Sequence, residues 1–206
     1  RRFQELMSAP GVEPEKLVSP VKAERDTCLL FADGLRFDVG AILHERLEAQ
    51  GFRVRMSHRI APIPTVTATA KPVASPAHPV CTGKTDADDF APAIASTGQV
   101  ANASRLRDAM ARADVELLSA DQSAMATGSE GGGWTEAGKL DALGHSLDAL
   151  LVRQIDPEVD ALVERIAGLL GAGWSRVRVV TDHGWLLLPG GLPKVELSPH
   201  LVATKW

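Results

Sequence analysis

Short apolar runs alternate with longer amphipathic stretches along the chain, and this alternation gives the first outline of its architecture. The run "TCLLFADG" is apolar up to Asp33-Gly34, which predicts a buried strand. In "DVGAILHERLEAQG" the residues Val39, Ile42, Leu43 and Leu47 recur at helical spacing, with Asp38 as N-cap and Gly51 as the stop. "FRVRMS" alternates apolar and polar positions, the pattern of a second strand, half exposed or near an edge. The proline- and threonine-rich stretch 58–80 reads as loop, with one helical turn after Pro64. Residues 82–103 are small and polar and read as an exposed excursion. "SRLRDAMARAD" predicts a short helix, "VELLS" a short strand, and the glycines of "GSEGGGW" a flexible loop. Two helices are expected over 139–154 and 157–171. The second has Asp156 as N-cap, Pro157 at its first position and Gly171 at its end. "RVRVV" is the last clear strand, and it delivers Asp182-His183-Gly184.

Strands alternating with helices predict an α/β fold, a mostly parallel central sheet flanked by helices. In such sheets ligands gather at the carboxyl ends of the strands. Asp33 follows one strand and Asp182-His183 follow another, so the reading places all three on one edge of one sheet. Residues 1–26, with Pro10, Pro14 and Pro20, read as a linker or helix leading in from upstream, and 27–206 as the domain. The chain opens without Met, at "RRFQEL", and is read as part of a longer protein.

Composition narrows the classes. Of 206 residues, 45% are hydrophobic and 23% charged, enough apolar material for a real core. The net charge of -4 weighs against a dedicated nucleic-acid-binding module, which usually carries a basic surface. Two cysteines, Cys28 and Cys81, are too few for a disulfide framework and are expected as reduced thiols in a cytoplasmic protein. No apolar run reaches the ~18 residues needed to span a membrane, and no signal-peptide pattern opens the chain.

The candidate chemistry is spread along the sequence. Asp141 and His145 in "LDALGHSLDALL" are four residues apart, one face of a helix, although Gly144 favours a turn. Thr65, Thr67 and Thr69 lie in a proline-bounded loop, where a hydroxyl becomes a useful nucleophile if a metal ion activates it. Each of these is commonplace alone. Their order is not: Asp33 at a strand end, a Pro-Thr-x-Thr loop, Asp141-x-x-Gly-His145, then Asp182-His183 at another strand end. Oxygen and imidazole ligands of this kind suit zinc or manganese, and two such ions can clamp the attacking and leaving oxygens of a phosphoryl group.

Together "FADGLRFD", "PTVTATAKP", "DALGH" and "VVTDHGWLLLPGGLPKVEL" resemble the PglZ domain, a branch of the alkaline phosphatase superfamily, over about residues 27–206. The nearest likeness is to the PglZ proteins of bacterial BREX phage-defence systems. The resemblance implies an alkaline-phosphatase-like core that hydrolyses phosphate esters with two divalent ions, zinc first, with manganese or magnesium as alternatives. It implies that Asp33, Asp182 and His183 hold one ion and that Asp141 and His145 hold the other. Thr67 would be the nucleophile, with Thr65 in reserve. Arg36 and Lys71 are candidate phosphate contacts, and Lys194 is a further basic candidate. The superfamily's third ligand to the second ion is a downstream His. Only His200 follows His183 here, so that ligand is expected beyond Trp206 and the domain is read as truncated at its C-terminus. The implied partners are a phosphate ester, with nucleotides and nucleic acid among the options, and other BREX proteins. The alternative is a catalytically weak or inactive PglZ scaffold acting through protein-protein contacts. His44, His58 and His78 are expected on the surface, and Trp185 is expected to pack.

Overall fold

The computed structural model describes residues 20–59, 61–62, 64–83, 91–119 and 132–187. Its centre is a four-stranded parallel sheet in the order β4-β5-β1-β6. The strands are β1 (Thr27–Phe31), β4 (Glu116–Leu117), β5 (Gly133–Glu136) and β6 (Arg176–Val180). β1 pairs with β5 on one side and with β6 on the other. Every residue of β1 is buried, as expected of a parallel strand covered on both faces.

The side chains of β1 point alternately into two cores. Leu30 faces a layer formed by α1 (Phe37–Ala49) and a long helix near the end of the described chain, through Val39, Leu43, Val159, Leu162 and Ile166. Leu29 and Phe31 face the opposite layer, with Ala74, Leu106, Met110, Trp134 and Val180. That layer contains α2 (Thr67–Val73) and α3 (Ala103–Arg112). Asn102 caps α3, its Oδ1 accepting from the Arg105 amide at 3.0 Å. The strand β2 (Cys81–Thr82) pairs with β3 (Ala93–Ile94) in a small antiparallel ladder at the base of the polar excursion. On the other face α4 (Leu140–Leu147) leads through a 3-10 segment (Asp148–Gln154) into α5 (Ile155–Gly171). Arg46 ties α1 to α5 through Asp156 and Asp160.

Several elements differ from the sequence reading. Residues 52–57 make no ladder among the described residues; Phe52 and Val54 turn inward onto the core, which satisfies the alternation without a strand partner. Arg36, not Asp38, occupies the cap position of α1, because Asp38 lies inside the first turn and pairs with Arg36. The helix predicted for 139–154 breaks after Leu147, where Asp148 takes a φ of 47°. Gly144 is accommodated inside α4. α5 starts at Ile155, so Asp156 is not its cap; Pro157 falls in the first turn, where a missing N–H costs little. The loop after Pro64 contains two turns of helix, α2, rather than one.

β5 is a central strand where a glycine loop was expected. The reason is a close approach: a Cβ at Gly133 would lie 2.5 Å from the buried Trp174 ring. Gly133→Ala should therefore destabilise the fold by about 2 kcal/mol. That corresponds to a fall of about 4–8 °C in Tm, read by thermal melting.

Candidate metal centre

The loops after β1 and β6 are stitched together side by side. The Ala32 amide donates to the Val180 carbonyl at 2.9 Å, extending the ladder past the strand ends. The Leu35 amide donates to Thr181 Oγ1 at 3.0 Å and the Gly34 amide to Asp182 Oδ1 at 3.3 Å. Trp185 Nε1 closes the seam on the Gly34 carbonyl at 2.9 Å, so Trp185 packs. Asp33 and Asp182 thus share one sheet edge, as the order of strands required.

Two further elements, α2 and α4, converge there. Thr67, the first residue of α2, places Oγ1 2.9 Å from His183 Nε2 and 3.2 Å from Asp33 Oδ1. His183 Nε2 is 3.4 Å from Asp33 Oδ1, 3.8 Å from Asp182 Oδ2 and 3.9 Å from Asp141 Oδ1. Asp141 comes from the first turn of α4. One ligand atom each from Asp33, Asp141 and His183 lies within 4.8 Å of the others. The imidazole is oriented by Nδ1, which sits 3.1 Å from the Gly184 carbonyl. A proton on Nδ1 leaves the Nε2 lone pair facing the carboxylates, the arrangement of a ligating histidine.

Electrostatics at this point is unbalanced. Burial pushes the Asp33 carboxyl up, with the Asp141 charge adding to it, against the smaller opposing pull of His183, Thr67 and Lys71. Burial, with the Asp33 charge adding to it, raises Asp182 to about 6. Asp182 Oδ1 accepts from two amides, Gly34 at 3.3 Å and His183 at 2.9 Å, but its buried Oδ2 has no hydrogen-bond partner. Three carboxylates around one imidazole, one of them fully enclosed, is a costly arrangement without a cation. The donor set of carboxylate oxygens and one imidazole nitrogen fits a divalent ion such as zinc or manganese.

The remaining predicted residues take different places. His145 Nε2 is 3.5 Å from Asp141 Oδ2, but its side chain is 83% exposed, so it stands at the rim. Thr65 is exposed and Thr69 is buried in α2. Arg36 forms a two-pronged pair with Asp38 at 2.6 Å and lies over the Trp185 ring at 3.9 Å, which commits its guanidinium away from the carboxylates. Lys71 is nearer: it sits over Phe31 and bonds Glu136 Oε2 at 2.7 Å. Glu136 ends β5 and was missed with that strand. His44 is half buried and pairs with Glu48, and His58 is exposed. His78 is half buried, not fully at the surface as expected. Lys194 and His200 lie outside the described residues. Both cysteines are free, and burial raises Cys28 to about 12 and Cys81 to about 11, so neither is an activated thiol.

Gly34 lets these loops meet. It has a φ of 64°, and a Cβ there would lie 3.1 Å from Asp141 Cβ. Gly34→Ala should cost about 1–2 kcal/mol through backbone strain. It should also displace Asp141, weakening zinc binding measured by calorimetry.

No family model, curated protein or solved structure matches the chain. Its class is therefore stated from its own geometry: an α/β fold with a parallel sheet and a cluster of potential metal ligands at the strand ends. Among the described residues no helix is long and apolar enough to cross a membrane.

Proposed function

We propose that the protein is a metal-dependent phosphohydrolase that uses Thr67 as its nucleophile. The observation that carries the reading is the position of Thr67 Oγ1, 2.9 Å from His183 Nε2 and 3.2 Å from Asp33 Oδ1, inside a cluster of carboxylates gathered around one imidazole. Asp33, Asp182 and His183 would hold one divalent ion, zinc in the first instance. Asp141, with His145 at the rim, would contribute to a second. Asp141 Oδ1 lies 3.9 Å from His183 Nε2, so the residues that would hold the two ions adjoin. Bound there, the ions would supply Lewis acidity and stabilise the charge on the phosphoryl oxygens.

The chain's own residues do the rest. Thr67 Oγ1 attacks phosphorus as the bond to the leaving oxygen breaks. Its proton passes to Asp33 Oδ1, which the hydroxyl faces at 3.2 Å, and ends on the departing alcohol. Water then displaces Thr67 from the phosphothreonine and restores the hydroxyl. Gly34 and the Gly184 carbonyl act behind these groups, fixing Asp182 and the imidazole.

The motif order that resembles PglZ domains supports the same reading, and with it an alkaline-phosphatase-like core and a role beside other BREX proteins in phage defence. The test is zinc content together with turnover of 4-nitrophenyl phosphate and its bis ester, with phosphate sought on Thr67 after acid quenching. Zinc-dependent turnover and phosphothreonine are expected. Stoichiometric zinc without Thr67-dependent turnover would replace the enzyme with a scaffold domain.

A further inference from the structure

A cavity of about 340 Å³ opens beside the carboxylate cluster, between β6, α2, residues 57–59 and residues 61–62. Asp182 and His183 line it, so the cavity shares these two residues with the cluster, and Thr67 Oγ1 lies 2.9 Å from the same imidazole. Its floor is apolar, with Leu35, Ala70, Val73 and Val180. Two guanidiniums, Arg59 and Arg178, also line it. Phe37, 60% exposed, stands edge-on to His58 at the rim, with ring centroids 6.2 Å apart.

The arginine pair is the informative feature. Arg59 Nη1 donates to the Pro20 carbonyl at 3.1 Å. Arg178 has Glu24 at 3.9 Å, a carboxylate it shares with Arg176, which is closer at 3.0 Å. Burial lowers the pKa of Arg59, and the charge of Arg178 lowers it further, so the two cations sense each other across the cavity. Like charges facing one partly desolvated cleft concentrate anions there. Guanidiniums grip carboxylate or phosphate with paired hydrogen bonds. Arg178 precedes Asp182 by four residues, roughly 13 Å of extended chain, about the length of a fused ring system with its substituents.

We propose that this cavity is the leaving-group subsite, and that it takes a phosphate ester whose alcohol is a flat apolar unit bearing a second anionic group held by Arg59 and Arg178. The proposal rests on the phosphohydrolase reading and names its substrate class. The apolar floor packs the flat unit, the rim of Phe37 and His58 borders its entry, and the two cations select the far charge.

The test uses two fluorescent probes that differ only in that charge, 6-carboxy-2-naphthyl phosphate and its neutral twin 6-carbamoyl-2-naphthyl phosphate. Zinc-loaded Thr67→Ala protein is titrated with each, so that binding is read without turnover. The carboxylate is expected to bind about tenfold tighter, as one charge-assisted contact pair warrants. Arg178→Gln and Arg59→Gln should each shrink that preference, and the double variant should abolish it. Arg178→Lys, which keeps the charge, should retain most of it and controls for misfolding. Equal affinity for the twins, no binding of either, or a preference that survives in the double variant would overturn the subsite. Failure of the phosphohydrolase reading shows separately: wild-type protein would leave both probes unhydrolysed while the carboxylate preference persisted.

Discussion

Thr67→Ala should lower turnover of 4-nitrophenyl phosphate by at least about a thousandfold, because the variant lacks the atom that forms the covalent bond to phosphorus. The loss should fall on kcat, since the alanine removes no group that holds substrate. Thr67→Ser keeps an oxygen at the same place and should retain measurable activity. Zinc content should remain near that of the wild type in both variants, because Asp33, Asp182 and His183 are untouched. Steady-state kinetics with parallel metal analysis makes the separation. The site gives Thr67 this weight because neither free cysteine is activated and neither neighbouring threonine is placed to act. Thr65 is exposed, Thr69 is buried within α2, and only Thr67 bonds both His183 and Asp33.

Asp182→Asn should have the second large effect, and it should change sign with metal. Folding raises the Asp182 carboxyl from 3.8 to about 6, chiefly by burial. The folded protein therefore binds this proton more tightly than the unfolded chain does. Its stabilising contribution is full below about pH 4 and is lost as pH rises through about 6. A shift of this size corresponds to about 3 kcal/mol in the metal-free protein. Thermal melts of the chelated wild type should show this decline relative to Asp182→Asn, whose buried amide carries no charge at any pH. With zinc the order reverses. The wild type, its carboxylates deprotonated and loaded, should gain about 4 kcal/mol at zinc a thousandfold above Kd, a rise of about 8–16 °C in Tm. Asp182→Asn should gain little. A zinc response that survives the substitution would remove Asp182 from the ligand set.

The sequence carried the parts of this account that follow from local pattern. β1 is legible because "TCLLF" has no charge, and α3 because "SRLRDAMARAD" sets Leu106 and Met110 one turn apart among polar residues. The meeting of Asp33 with Asp182 is legible because both follow apolar strands in a parallel α/β sheet, whose strand ends face one way. What failed depends on contacts between distant residues. β5 was hidden because Gly133 looks like loop until the Trp174 ring is seen against it. With β5 went Glu136, and with Glu136 the partner that holds Lys71. Residues 52–57 have a strand's alternation, but a strand also needs a neighbour. The contact of Asp141 with the other cluster depends on the missing Cβ of Gly34, which no spacing rule exposes. Arg59 and Arg178 are far apart in sequence, and only the fold brings them to one cavity.

The most direct measurement is an anomalous difference map from crystals soaked in zinc. A peak is expected about 2.0–2.2 Å from His183 Nε2 and from carboxylate oxygens of Asp33 and Asp182, with Thr67 Oγ1 beside it. Zinc bound only elsewhere on the protein, with these side chains in place and no density among them, would contradict the metal centre and the chemistry built on it.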